Sequence, residues 1–419
     1  MDAVEPVPAT LADAQASRAA WTVVALLWGA ATLNYLDRQL IATMSAPIEA
    51  AIRVHHARFG LFFSVFLWTY GLTSPLAGMV ADRFGRKRVI VASLLIWSAA
   101  TVLTGCVRTF EQMLAARFLM GLSEAFYMPA AVALVVDYHR GPTQSRATGL
   151  HLSGVYAGSI LGGLGGAIAQ YLNWRTGFIG FGVIGLVYCA VLARFLHDAP
   201  AAADEDAPNM TASPGSRGFA SLLTSRNVAL LLAGNAVIGA AFWTMRNWLP
   251  TFFNTEAGVD IARAGIYGAT AFNAAAFVGM LVAGTLSDCW SARSRRVRVL
   301  VPAVAAFAAA PMMFAMGSFS ALGVLVGAVL LAGMAQGALD ANLMPALCTL
   351  VPPWLRSTGY GLLNLAGTLA GGLMTYVGGR LKDANVPFHT TFQMSAALVL
   401  LAGLLFAAVR PARARGGDA

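Results

Sequence analysis

Six charged residues lie inside long apolar stretches: Asp37, Arg38, Arg117, Glu124, Arg246 and Asp340. At bilayer depth a charge costs about 3 kcal/mol or more unless it is paired or hydrated, so each is a candidate for function. A carboxyl group in apolar surroundings favours its neutral form and can take up a proton near neutral pH. Asp37 and Glu124 are therefore candidate proton-coupling groups. A guanidinium fork binds a carboxylate through two parallel hydrogen bonds. Arg38 and Arg246, at equivalent depths in two different spans, would clamp one carboxylate from two sides; the competing reading of Arg246 is snorkelling toward an interface beside Trp243 and Trp248. Arg117 and Glu124 are seven residues apart, almost two helical turns, and share a helix face, so Arg117 also suits plain pairing with an acid. Asp340 is assigned to the same charge-pairing group. Asp37 and Arg38 diverge by about 100° around their helix. Tyr35, Tyr70, Tyr127, Asn273, Gln336 and Asn364 would give neutral hydrogen bonds to substrate hydroxyls, although a single Tyr or Asn in a span also serves as helix-packing glue. His151 lacks a visible partner and reads as a packed, neutral ring.

Such charges need a scaffold that holds them in a bilayer. Of 419 residues, 58% are apolar and 11% charged, against about 25% charged in soluble domains. With roughly 20 apolar residues needed per span, spans fall near 21–48, 58–80, 88–107, 112–136, 146–171, 175–196, 227–253, 262–286, 299–317, 320–345, 357–380 and 388–409. The fold class is thus all-α, with twelve transmembrane helices. The acidic, Pro- and Ser-containing stretch 198–225 reads as a linker between a six-helix bundle at 21–197 and a second at 226–409, with a leader at 1–20 and a tail at 410–419. Asp2, Glu5 and Asp13 give the leader the wrong charge for a signal peptide, so the first span is expected to be retained. With both termini cytoplasmic, 18 of the 28 Lys and Arg fall on the cytoplasmic side and seven opposite, the remainder lying within spans. That positive-inside bias accounts for the +9 net charge without nucleic-acid binding. Cys106, Cys189, Cys289 and Cys348 stand singly, without metal-ligand spacing. No metal, cofactor or catalytic residue is expected, since no HExxH, GxSxG or Ser/His/Asp cluster is present.

The chain repeats itself at an offset slightly above 200 residues. Gly78-Met-Val-Ala-Asp82 recurs as Gly284-Thr-Leu-Ser-Asp288, Gly121-Leu-Ser-Glu-Ala as Gly337-Ala-Leu-Asp-Ala, and Arg146-Ala-Thr-Gly149 as Arg356-Ser-Thr-Gly359. Duplicated halves place a substrate site near mid-membrane, where the halves meet and rock, which favours a transporter over a channel or enzyme.

Gly78-x-x-x-Asp82-Arg83-x-Gly85-Arg86-Lys87-Arg88 resembles the signature loop of the major facilitator superfamily, G-x-x-x-D-R-x-G-R-[KR]. The resemblance implies a cytoplasmic gate motif, in which Gly78, Asp82, Arg83, Gly85, Arg86 and Lys87 stabilise an outward-open state. Asn34-Tyr35-Leu36-Asp37-Arg38, Arg117-x6-Glu124, Trp248-Leu-Pro250 and Gly359-Tyr-Gly-Leu-Leu-Asn364 are similar to the anion–cation symporter family, which includes bacterial galactonate and hexuronate carriers, sialin and vesicular glutamate transporters. The spinster lipid transporters share a related Asn-Tyr-x-Asp-Arg element. The first resemblance implies proton-coupled symport of a small organic anion, a sugar acid or similar carboxylate, by a monomer in a bacterial inner membrane. The second implies a carrier of lysolipids, with Phe62, Phe63, Phe66, Phe126 and Phe272 as an apolar lining. Gly154-x3-Gly158-Ser159-x2-Gly162-Gly163 resembles an antiporter motif with Ser159 in place of its proline, which weakens the expectation of a kink there.

Overall fold

The computed structural model describes residues 11–139, 143–199, 222, 224–291, 297–352 and 355–410. Most of the expected linker, part of the leader and nearly all of the tail lie outside them. The described residues form sixteen α-helices and one π-segment, with no strand among them. The first half comprises α1 (Leu11–Thr43), α2 (Ser45–Ile52), α3 (His56–Phe84), α4 (Arg86–Cys106), α5 (Phe110–Glu124), α6 (Tyr127–Tyr138), α7 (Gln144–Gly162), α8 (Gly165–Tyr171) and α9 (Trp174–Phe195). The second comprises α10 (Arg226–Thr255), α11 (Ile261–Gly265), the π-segment Ile266–Ala271, α12 (Phe272–Ser291), α13 (Val297–Met316), α14 (Leu322–Cys348), α15 (Arg356–Asp383) and α16 (Phe388–Ala408).

Eleven helical stretches are long and apolar enough to cross a membrane. The twelfth expected span, α15, has 28 residues, about 42 Å at the α-helical rise. It falls short in apolarity because it carries Arg356, Asn364, Arg380, Lys382, Asp383 and many glycines.

Four expected spans are interrupted, the first of them at Met44 between α1 and α2. Pro129 cannot donate to the carbonyl four residues back and its ring crowds it. The fourth span accordingly breaks at Ala125–Phe126, directly after Glu124. The fifth breaks at Gly163–Leu164 although no proline is present, correcting the expectation drawn from Ser159. The eighth contains the π-segment, a feature often associated with functional sites and without a signal in the apolar pattern.

Arg83, Arg86, Lys87 and Arg88, flanking Gly85 between α3 and α4, mark a basic face; the opposite, far face is where the halves lock together. The α3 helix runs along α15, with Ser64 Oγ donating to the Gly372 carbonyl at 2.5 Å and Trp68 Nε1 to the Leu369 carbonyl at 3.2 Å. Gly163 and Gly265 permit the second seam, since a Cβ on either would overlap the other half. There Thr270 Oγ1 donates to the Ile160 carbonyl at 2.9 Å, and the Ala262 N–H to Gln170 Oε1 at 3.0 Å. At the far face itself, the first N–H groups of α3, at His56 and Ala57, donate to the Asp383 carboxylate at 3.0 and 2.9 Å. Ser45 and Thr251 hydroxyls meet at 2.8 Å. Behind them Phe59, Phe63, Trp248 and Phe388 form an aromatic plug, with Trp248 wholly buried. Leu103, Val187, Val304 and Leu404 are more than half exposed, a pattern suited to facing lipid.

Candidate functional site

Below the plug lies a cavity of about 350 Å³, lined from both halves by α1, α3, α6, α7, α10, α12, α14 and α15. It extends toward the basic face, where Met128, Leu152, Met344 and the exposed Tyr360 border it. Its closed end is polar. Arg38, Arg246, Tyr35, Tyr70, Asn273, Gln336, Asn364 and Asp340 all line it.

Arg38 is already occupied. Its Nε donates to Glu124 Oε2 at 2.5 Å, and both side chains are at most 10% exposed. Its guanidinium also lies over the rings of Tyr35, Phe66 and Tyr70, at 4.6, 4.9 and 4.4 Å from their centroids. Glu124 reaches it because the helix ends there, freeing the last turn of α5 to aim across to α1. The carboxylate that Arg117 shares a helix face with is thus bonded to Arg38. Arg117 is buried over Phe66 at 4.4 Å and touches the Met120 sulfur at 3.4 Å. It forms no ion pair among the described residues.

Arg246 stands differently. It donates to Asn273 Oδ1 at 3.3 Å and lies over Trp243 at 5.2 Å. No carboxylate approaches it within ion-pair distance among the described residues. It faces the cavity beneath the plug, so it does not snorkel, and Trp248 belongs to the plug rather than to an interface. Arg38, Arg117 and Arg246 also converge on a recess of about 20 Å³, room for a single water.

Asp37 is buried on the other side of α1 and accepts from Thr101 Oγ1 at 3.1 Å. It does not line the cavity, in keeping with its divergence from Arg38. Asp340 forms no ion pair with an arginine among the described residues either. Its carboxylate accepts from Gln336 Nε2 at 2.7 Å and, across the halves, from the Tyr156 hydroxyl at 3.1 Å. Tyr156 is one of the cavity residues that the sequence pattern did not mark, with Asn235 and Thr368; it sits between Gly154 and Gly158.

Two further expectations need correction. Tyr127 is fully buried, donates to the Leu27 carbonyl at 2.7 Å and packs on Trp97, so it does not reach the cavity. Of Phe62, Phe63, Phe66, Phe126 and Phe272, none lines the larger cavity. His151 is buried against Tyr127, away from the cavity.

In the loop after α3, Gly85 has φ 89°, a left-handed conformation that glycine adopts freely. Arg86 pairs with Asp137 and donates to the Ala133 carbonyl at 2.8 Å. The Lys87 N–H donates to Asp198 Oδ1 at 2.7 Å. Arg83 lies over Phe84. The surroundings of Gly78 and the side chain of Asp82 lie outside the described residues.

A helical scaffold in two halves, closed at one face over a buried set of arginines and acids, has its counterpart among known proteins. The Major Facilitator Superfamily sequence profile matches residues 27–295 and 267–418. The chain belongs to the major facilitator superfamily. It is therefore a multi-pass membrane transporter and not an enzyme. It is 28% identical over 411 residues to an MFS-type efflux pump of Mycolicibacterium smegmatis, covering 93% of this chain and 91% of the pump. To a probable sulfoacetate transporter of Cupriavidus necator it is 25% identical, with 90% and 91% covered. To a D-galactonate transporter of Escherichia coli it is 24% identical, with 66% and 68% covered. A crystal structure of a bacterial homologue of the human lysosomal transporter Spinster, inward-facing and unoccupied, superposes with a TM-score of 0.79 at 21% identity, covering 94% of this chain and 99% of that one. That likeness concerns the superfamily fold.

Proposed function

We propose that this transporter moves a small organic anion by proton-coupled symport, using alternating access between the two membrane faces. The observation that carries the reading is Arg246, a guanidinium at the closed end of the cavity with no acid bonded to it among the described residues, beside an Arg38 held by Glu124. With Glu124 ionised, an incoming carboxylate meets one available guanidinium. Protonation of Glu124 removes its charge, releases Arg38 and lets two forks converge on the anion. Proton and anion thereby raise each other's affinity, which is the reciprocal coupling that symport needs. Asp37, held by Thr101 on the reverse of the same helix, is the second proton acceptor. Tyr35, Tyr70, Asn273 and Asn364 supply hydrogen bonds to hydroxyls. The basic face is cytoplasmic by its arginine content, so the cavity opens inward. The gate motif, with Asp82 as its acid, holds that face shut in the opposite state. Two of the relatives are transporters of organic acids, which supports the anion class.

The test is uptake of radiolabelled D-galactonate or sulfoacetate into proteoliposomes. Accumulation against a gradient is expected when the substrate side is acidic, and a protonophore should abolish it. Accumulation that ignores the pH gradient would overturn proton coupling; absence of binding by any carboxylate would overturn the anion class.

A further inference from the structure

The repeat sets two arginine–acid pairs in register, Arg38 with Glu124 and Arg246 with Asp340. They are not in the same condition. The first is shut at 2.5 Å. The second is open: the two side chains form no ion pair, and both border the cavity. An arginine has five N–H donors, and of those on Arg246 one meets Asn273. A carboxylate offers about four acceptor positions; on Asp340, Gln336 and Tyr156 fill two. Gln336 Oε1, adjacent to that carboxylate, is buried without any donor. The acidic end of the open pair therefore has surplus acceptors, and what satisfies them is a donor, best a charged one.

From this geometry we infer that the preferred substrate is a zwitterion, its carboxylate on Arg246 and an ammonium group on Asp340. The inference rests on the anion reading above and sharpens it. A purely anionic solute leaves Asp340 facing its hydroxyls, which donate more weakly than an ammonium. A zwitterion closes the open pair in the second half as Glu124 closes the pair in the first. The rings of Tyr156, Tyr360 and Phe242 line the same cavity and favour a cation over their faces. Asp340 is in this reading a specificity determinant.

The experiment compares D-galactonate with 2-amino-2-deoxy-D-galactonate and 6-amino-6-deoxy-D-galactonate, binding each to the full-length protein in nanodiscs by calorimetry. The three differ by one hydroxyl exchanged for an ammonium. At least one amino derivative should bind about 10-fold or more tighter than galactonate, the gain from one charge-assisted bond. Asp340→Asn should erase that preference, and Gln336→Leu should reduce it. The wild-type preference needs no variant, so the test stands if Asp340→Asn fails to fold. Equal wild-type affinities, undetectable binding of all three included, overturn the inference, as does an equal loss of both ligand types in Asp340→Asn. Arg246→Ala separates the two readings: unchanged affinity for every ligand would overturn the carboxylate site itself, whereas loss of all ligands with no wild-type preference overturns the zwitterion alone.

Discussion

Replacing Glu124 by Gln tests the competition for Arg38 directly. In the structure Arg38 Nε spends its bond on Glu124 at 2.5 Å, in a setting where both side chains are nearly dry. An anion can recruit that guanidinium when the carboxylate lets go. A hydrogen bond to a charged group is worth about 1.5–3 kcal/mol net, so the ionised glutamate should weaken anion binding by about 10- to 150-fold. Gln keeps the shape and one carbonyl acceptor but not the charge. At mildly alkaline pH the Glu124→Gln protein should thus bind anion tighter than wild type by that factor. The sign with pH follows: the protonated wild type binds anion better, so wild-type affinity rises as pH falls and meets that of the variant at acid pH. The variant should retain only the shallower slope that Asp37 contributes. Calorimetry across mildly acidic to mildly alkaline pH reads both quantities. In proteoliposomes the variant should exchange substrate in counterflow, which requires only loaded states, and should fail at accumulation driven by a pH gradient. An affinity and a pH slope equal to wild type, or full uphill accumulation, would refute the competition for Arg38.

Arg246→Ala should lower anion affinity about 30-fold or more, as removal of one partner from a buried charge pair does, and Arg246→Lys should rescue it poorly for want of the planar fork; calorimetry reads both, and undiminished binding by the Ala variant refutes the assignment. Asp383→Ala removes a carboxylate that accepts two N–H groups at the start of α3, a contribution of about 0.5–2 kcal/mol for a helix cap. The far face should open more often, so a cysteine placed at Ser45 should label faster than in the parent, and unchanged labelling counts against Asp383 as a lock. Gly337→Ala puts a Cβ onto the Ala276 carbonyl oxygen, whereas Gly323→Ala meets open space. The first should cost about 1–3 kcal/mol of stability and the second nothing, judged by thermal unfolding in detergent.

Much of this architecture is legible in the residue pattern, and the reasons differ by feature. Spans are written in local apolar runs, so eleven of them survive as helices of sufficient apolarity, and the repeat is visible because Glu124 and Asp340 keep their neighbours. Which charge meets which is not local. Arg117 shares a helix with Glu124, yet Arg38 from α1 takes the carboxylate, because the break at Ala125–Phe126 redirects the last turn of α5. Tyr127 looked equivalent to Tyr35 and Tyr70 as a tyrosine in a span; the rotation of α6 turns it onto Trp97 and Leu27 instead. Tyr156 escaped notice because its bond to Asp340 joins residues 184 apart in the chain. The interruption at Gly163 arises where two halves approach too closely for a side chain, a condition set by the partner helix rather than by Ser159.

The charge count around the cavity also constrains how coupling can work. Three arginines, Arg38, Arg117 and Arg246, converge on one recess, and three acids, Asp37, Glu124 and Asp340, surround them. With every group ionised the set is formally neutral, and an anion entering it adds an uncompensated negative charge to a poorly hydrated space. Each proton taken up by an acid leaves one arginine in excess, which an anion then balances. A loaded cavity with one proton and one monovalent anion is again neutral, as is the empty cavity with neither. Both can cross between faces without carrying net charge through the apolar interior, whereas the half-loaded forms cannot do so cheaply. Coupling then resides less in any one residue than in this balance. Arg117 matters to it even without an acid in contact: Arg117→Met would leave a deficit of one positive charge, which a bound proton already restores without any anion. In that variant neither the empty carrier nor the carrier with one proton and one anion is neutral, so accumulation driven by a pH gradient should be lost in proteoliposomes. Undiminished accumulation would show that Arg117 serves only to pack against Phe66.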